Sequence, residues 1–291
     1  MRFRPLGWAF GAEAIGFDIA SLDEGAVNQI RKAMSRYGML VIRDAALDDS
    51  GLAAFAQRFG TLPYMGEKPG EFPGIARLAN VDREGAMLPP DDEMRKHFDA
   101  NRLWHIDGTY GDPGISYSFL YSVTVPRDGG ETEYCDLRVA WESLPRERQR
   151  QLEQLTADHS IFHSRARVGF DMSGVNRAAL PSITRKLVRL HAPSGRKALI
   201  IASHVERVDG HDAAAGQALI AELVALASAP EKVYRHAWRP RDLLIWDNRC
   251  IMHRACDFPQ FEQPRDLRSC RNIDVEDDGI AARPKIMEPI G

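Results

Sequence analysis

Leu243-Leu244-Ile245-Trp246-Asp247-Asn248-Arg249-Cys250-Ile251-Met252-His253 is the stretch from which the fold can be read. Its first four residues are continuously apolar, the pattern of a buried strand. A histidine just beyond such a strand sits where a barrel could open. His253 has candidate partners far upstream, in Trp104-His105-Ile106-Asp107. On an extended strand, residues i and i+2 point to the same face. His105 and Asp107 can therefore bind one ion together, with Ile106 turned away. Two imidazoles and one carboxylate can occupy one face of an octahedral Fe(II), leaving three positions for a cosubstrate and O2. A His-x-Asp string on its own is common by chance. Its plainer alternative is a core histidine followed by a turn aspartate.

Two further residues extend the pattern. Arg265, in Pro264-Arg265-Asp266-Leu267-Arg268, lies a short way beyond His253. A guanidinium there could form a two-pronged pair with a cosubstrate carboxylate. Thr132, in Gly129-Gly130-Glu131-Thr132, could offer a hydroxyl to the same carboxylate. Taken singly, these would be a surface arginine and an ordinary strand threonine.

At these residues the chain resembles the TauD/TfdA-type Fe(II)/2-oxoglutarate-dependent dioxygenases. The likeness runs from about Gly16 to about Asn272. It is most specific in Asn101-Arg102-Leu103-Trp104-His105-Ile106-Asp107, in Val125-Pro126-Arg127-Asp128-Gly129-Gly130-Glu131-Thr132-Glu133-Tyr134, and in Trp246-Asp247-Asn248-Arg249 leading to His253-Arg254. Within the family, Cys135-Asp136-Leu137-Arg138-Val139-Ala140-Trp141 and Gly195-Arg196-Lys197 are more similar to the 2,4-dichlorophenoxyacetate branch than to taurine dioxygenase.

The resemblance implies a double-stranded β-helix, or jelly roll: mixed β with helical cover. It implies Fe(II) held by His105, Asp107 and His253. 2-Oxoglutarate and O2 would be cosubstrates, with the far carboxylate of 2-oxoglutarate on Arg265 and Thr132. Asn101 and Arg268 are the expected substrate contacts. Relatives often carry a second arginine where this chain has Ser269, and Arg268 or Arg271 could take its place. The carboxylate at Asp107 argues for hydroxylation, because related halogenases replace it with a small residue. The expected substrate is a small carboxylate, an aryloxyalkanoate. Hydroxylation beside its ether oxygen gives a hemiacetal that collapses to a phenol and an oxoacid. The alternatives are a taurine, alkyl-sulfonate or sulfate-ester dioxygenase on the same scaffold, a non-catalytic binding barrel, and, more weakly, a zinc hydrolase. A homo-oligomer is also implied.

Composition sets limits around this reading. The chain has 291 residues, 44% of them hydrophobic, enough for one large core and a single domain over 1–291. With 38 basic and 41 acidic residues it has no basic excess for a nucleic acid. Cys135, Cys250, Cys256 and Cys270 show no framework spacing and read as free thiols in a reducing compartment, hence a cytoplasmic location. The start lacks a long apolar region, and no apolar run reaches the ~18 residues of a membrane span. Helices are expected over residues 26–37, ended by Gly38, and 50–59, capped by Ser50. Two more are expected over 144–155 and 213–227. Strands are expected over 39–42, 116–125, 199–201, 233–238 and 242–246. Residues 63–98, rich in Pro and Gly, read as a loop or a lid. Residues 165–190 are a second insertion, and the tail after Asp274 reads as loosely attached.

Overall fold

The computed structural model describes residues 1–16, 18–63, 72–90, 92 and 99–275. Its larger sheet has seven strands. In spatial order they are β1 (Arg2–Pro5), β2 (Ala12–Ile15), β3 (Met39–Ile42), β13 (Leu243–Asp247), β5 (Ile115–Thr124), β15 (Asp266–Ile273) and β4 (Ala76–Ala79). Only β2 and β3 pair in parallel. A three-stranded sheet runs β12 (Tyr234–His236), β6 (Thr132–Asp136), β14 (Ile251–Ala255), all antiparallel. A second three-stranded sheet orders β11 (Val205–Val208), β7 (Thr156–His159), β8 (Ile183–Lys186), and β9 (Val188–His191) pairs with β10 (Arg196–Leu199).

The alternation of side chains explains why the first four residues of the strand Leu243–Asp247 are all apolar. Leu244 and Trp246 enter one core with Met39, Val41, Leu120 and Leu267 of the large sheet and Tyr134, Cys135 and Met252 of the small one. Leu243 and Ile245 enter a second core with Phe119, Tyr121, Cys270 and the helices α1 (Glu24–Tyr37) and α2 (Asp49–Gln57). The central strands are thus covered on both faces, by a sheet on one and by helices on the other. This is a jelly roll with helical cover, as the resemblance implies. Each fully buried Leu or Ile contributes about 1.5–3 kcal/mol of hydrophobic stabilisation, so this double coverage is a principal source of the fold's stability.

Helix α1 begins where Asp23 accepts a hydrogen bond from the Ala26 N–H at 2.7 Å, and it ends at Gly38, whose φ of 71° closes the last turn on Met34 O. The second helix starts earlier than expected. Asp48, not Ser50, caps it, through the Gly51 N–H. The expected helix over 144–155 shortens to α4 (Arg146–Leu152), preceded by α3 (Leu137–Glu142), while α6 (Ala213–Ala227) lies where expected. A further short helix, α5 (Ile161–Ala166), runs into the second insertion, which holds the strand Ile183–Lys186.

The expected loop over 63–98 is partly regular. β4 (Ala76–Ala79) forms the edge of the large sheet against β15, and Val81 bridges Met87. Residues 64–71, 91 and 93–98 of that segment, and 276–291 of the tail, lie outside the described residues. No described helix is long and apolar enough to cross a membrane. All four cysteines are free.

Candidate metal centre

β14 carries His253 on the face turned toward Trp246 of the large sheet, and the chain at His105 pairs directly against it. His105 N–H donates to His253 O and His253 N–H to His105 O, each at 2.9 Å. The two imidazoles, 4.1 Å apart between ring centroids, are therefore placed by backbone pairing. Asp107 follows two residues on. Gly108 then turns the chain with a φ of 72°. A Cβ there would meet the Ile115 side chain at 2.3 Å, so glycine is required.

His105, Asp107 and His253 are all buried, and one ligand atom from each lies within 4.8 Å of the others. Nε2 of His105 and of His253 each stand 3.9 Å from an Asp107 oxygen. That is too long for a hydrogen bond, so neither imidazole Nε2 is tied to the carboxylate. His105 Nδ1 lies 2.7 Å from Leu103 O. A carbonyl only accepts, so Nδ1 carries the proton and Nε2 keeps its lone pair. The His253 ring packs against Trp246 at 4.6 Å and stacks on Tyr134 at 5.9 Å.

The electrostatics prepare these groups as ligands. Burial pushes both imidazoles below their ordinary range, His253 the further, because His105 adds to the effect. Both are neutral at physiological pH. Burial works against the charge of Asp107, but Arg271, then His253 and His105, and a hydrogen bond from Ser118 outweigh it and hold the carboxyl well below the usual range. Arg271 Nη2 lies 3.3 Å from one carboxylate oxygen, and Ser118 Oγ donates to the other at 2.7 Å. Asn248 Nδ2 donates to that Ser118 oxygen at 2.8 Å, and Trp246 Nε1 to Asn248 Oδ1 at 3.0 Å. Such a chain fixes the orientation of a ligating carboxylate. Two neutral imidazoles and an ionised carboxylate suit a divalent transition metal.

Arg265 and Thr132 form the neighbouring part. Arg265 is 4% exposed, and its guanidinium reaches Gly130 O at 3.4 Å and lies 5.8 Å from the Phe258 ring. Its Nε has no partner and no carboxylate pairs with it among the described residues. Burial lowers its pKa to about 10. A buried guanidinium without an anion is costly, so its natural complement is a ligand carboxylate. Asn80 Oδ1 fixes the Arg265 backbone by accepting its N–H at 2.7 Å. Thr132 opens β6, and its Oγ1 accepts from Trp238 Nε1 at 3.0 Å, leaving its own proton available. The 129–130 turn that starts this strand also demands glycine. A Cβ on Gly129 would sit 2.4 Å from Asp257 O.

The other expected site residues fare differently. Asn101 is half-buried at the end of a helical stretch that precedes His105. Arg268 is not brought to the group. It projects from the opposite face of β15, where Nε pairs with Asp49 at 3.1 Å and Nη1 pairs with Asp266. Arg271 projects to the metal side instead. His204 also approaches, its ring 6.4 Å from that of His105 and 4.6 Å from Tyr110. Ser118, Asn80 and Trp238 were not anticipated. Nothing local marks them, since each acts on a residue distant in sequence.

A jelly roll with two histidines and a carboxylate converging in this way is the framework of a metal-dependent oxygenase. The chain belongs to the taurine catabolism dioxygenase TauD, TfdA family, whose model matches residues 2–271. It is accordingly an enzyme, an α-ketoglutarate-dependent dioxygenase. Over 279 residues it is 38% identical to the alpha-ketoglutarate-dependent 2,4-dichlorophenoxyacetate dioxygenase of Cupriavidus pinatubonensis, covering 93% of this chain and 96% of that one. It is 32% identical to the (S)-phenoxypropionate/alpha-ketoglutarate-dioxygenase of Sphingobium herbicidovorans, covering 86% and 88%. Among solved structures it is similar to AAD-2 in complex with Mn(II) and N-oxalylglycine, with 30% identity, a TM-score of 0.86 and coverage of 94% and 97%.

Proposed function

We propose that the protein uses Fe(II) and 2-oxoglutarate to hydroxylate an aryloxyalkanoate at the carbon beside its ether oxygen. His105, Asp107 and His253 hold the metal in this reading. Arg265 and Thr132 hold the far carboxylate of 2-oxoglutarate. The bound metal supplies O2 activation coupled to oxidative decarboxylation of 2-oxoglutarate to succinate. The carrying observation is the convergence of two imidazoles, each with its Nε2 uncommitted, on one ionised carboxylate, together with a buried arginine that pairs with no carboxylate among the described residues.

The chain's own residues do the positioning. Leu103 O keeps the His105 proton on Nδ1, Arg271 favours the charge on Asp107, and Ser118, braced by Asn248, orients its carboxylate. Trp238 turns the Thr132 hydroxyl so that its proton can be donated. The hydroxylated product is a hemiacetal. It breaks its aryl ether C–O bond, the phenol oxygen takes the hydroxyl proton, and an oxoacid is left. The aryloxyalkanoate class is supported by the named activities of the two curated relatives.

The test is succinate formation by anaerobically purified protein given Fe(II), 2-oxoglutarate, ascorbate and O2. The substrate panel holds aryloxyacetates, aryloxypropionates, alkyl sulfonates and sulfate esters. Stimulation by an aryloxyalkanoate with phenol release is the expected result. Stimulation by a sulfonate or sulfate ester alone would replace the substrate class. No succinate, with His105→Ala binding Fe(II) as well as wild type, would sink the whole reading.

A further inference from the structure

We infer that Trp246, Tyr134, Tyr234 and Trp8 form an electron path from the metal group to the surface, with His236 as its proton acceptor, and that this path quenches oxidising equivalents when no organic substrate is bound. The inference rests on reading His105, Asp107 and His253 as the metal ligands of a dioxygenase. Whenever 2-oxoglutarate and O2 react at the metal with no substrate in place, an oxidant is left with nothing to hydroxylate. It then attacks what is nearest. Met252 adjoins His253, and the Cys135 thiol lies opposite it on β6, donating to Met252 O at 3.7 Å. Both sulfur side chains are buried, and both are oxidisable.

The path is contiguous. From the His253 ring, Trp246 is 4.6 Å away and Tyr134 5.9 Å, and those two rings stand 5.5 Å apart. Tyr234, on β12, is the direct cross-strand partner of Tyr134. Their side chains therefore stand next to each other on one face of the small sheet. The Tyr234 ring meets Trp8 edge-on at 5.2 Å. Tyr134 and Trp246 are buried, whereas Trp8 is 40% exposed. Tyrosine and tryptophan are among the side chains most readily oxidised by one electron, and an electron can step between rings packed this closely.

Proton acceptors set the direction. An oxidised tyrosine persists only if its phenol proton has somewhere to go. Tyr134 Oη has no hydrogen-bond partner among the described residues. Trp246 Nε1 faces the amide oxygen of Asn248, which is no base. Tyr234 differs, because its hydroxyl donates to His236 Nδ1 at 3.0 Å, and His236 Nε2 donates to Asp242 Oδ2 at 3.0 Å. A carboxylate only accepts, so Nε2 carries the proton and Nδ1 offers its lone pair to the phenol. Burial holds this imidazole below its ordinary range and hence neutral, while Arg43 and the Arg239 N–H fix the carboxylate. On losing an electron, Tyr234 breaks its O–H bond and passes the proton to His236, whose imidazolium Asp242 stabilises. Trp8 then gives an electron to the tyrosyl radical, the proton returns from His236, and a solvent reductant such as ascorbate or a thiol restores Trp8. Two such passes, with two protons from solvent, reduce the unused oxygen atom of O2 to water.

The test is turnover of the full-length protein with Fe(II), 2-oxoglutarate and O2 but no organic substrate. It is sampled by freeze-quench electron paramagnetic resonance, and oxidised residues are mapped by mass spectrometry. Wild type, Tyr234→Phe and Trp8→Phe are compared, wild type also with ring-deuterated tyrosine. Wild type should show a tyrosyl radical whose signal narrows on deuteration. Tyr234→Phe should lose it, shift oxidation to Tyr134, Trp246 and Met252, and survive several-fold fewer turnovers, with unchanged Mn(II) binding reporting an intact fold. Trp8→Phe, at an exposed position, should keep the radical and lengthen its life several-fold in the presence of ascorbate. An unchanged lifetime there would overturn the surface end of the path. Wild type that forms succinate without a tyrosyl radical, or a radical and damage pattern unaltered in Tyr234→Phe, would overturn the proposal and leave the dioxygenase reading standing. No succinate at all would overturn both.

Discussion

His191, Asp247 and Cys250 bring their ligand-type atoms as close together as His105, Asp107 and His253 do, and all six residues are buried. The two clusters nevertheless differ in kind. Asp247 accepts from His191 Nε2 at 3.0 Å, from Arg249 Nε and Nη2 at 2.8 Å, and from the Arg249 backbone at 3.0 Å. His191 Nδ1 is bonded to Ser194 Oγ at 2.6 Å. Burial pushes the Cys250 thiol well up, so it is no thiolate ligand. Every strong acceptor in that cluster is already used. In the other, each imidazole Nε2 stands 3.9 Å from the carboxylate and keeps its lone pair, while Asp107 is held by Ser118 and Arg271 without being tied to either histidine. Proximity of donor types does not make a metal centre; imidazole lone pairs left unspent beside an ionised carboxylate do.

The contrast can be broken by mutation. His253→Ala should abolish metal retention and succinate formation with little change in thermal stability. Metal content equal to that of wild type would remove the distinction at once. Asp247→Asn should do the opposite. It strips the counter-charge from the buried Arg249 and should cost about 3–5 kcal/mol of stability, read by urea denaturation, while metal bound per folded molecule stays the same.

Smaller effects sharpen the comparison further. Arg265→Ala should raise the 2-oxoglutarate KM about ten- to a hundred-fold, because its guanidinium, like the triad, is unspent in the protein alone. An unchanged KM would mean that another cation holds the cosubstrate. Arg268→Ala should be nearly silent in KM for either substrate and cost no more than about 1 kcal/mol. Its partner Asp49 is exposed, and Asp266 keeps Arg77 as a second partner at 2.7 Å. A marked rise in the organic-substrate KM would reverse the assignment of the two faces of β15.

Much of this was legible in the chain. Glu24–Tyr37 and Ala213–Ala227 carry apolar residues at helical spacing, so their positions could be read locally. The strand Leu243–Asp247 announced its two-sided burial by its composition. His105, Asp107, His253, Thr132 and Arg265 stood out through a resemblance to a family, and the fold brings the first three together. Arg268 was the expected substrate contact because it lies near Arg265 in sequence. The parity of the strand puts it on the other face, and counting by twos from Arg265 would have pointed to Arg271. Ser118, Asn248 and Asn80 could not be found in this way. Each is an ordinary polar residue whose partner is fixed only once β5, β13 and β4 are aligned. The expected loop over 63–98 concealed β4 because Ala76–Ala79 is too short to show a period.

The reciprocal backbone bonds between His105 and His253 carry a final consequence. They are the closely spaced pair of an antiparallel ladder, so peptide geometry, not an ion, sets the distance between the imidazoles. The seat for the metal exists before the metal arrives. Its ordering entropy was met when the sheets assembled, unlike that of small domains whose chain collapses around zinc. Emptying the centre with a chelator should therefore stop turnover while leaving protease resistance intact, and adding the ion back should restore activity without any refolding lag.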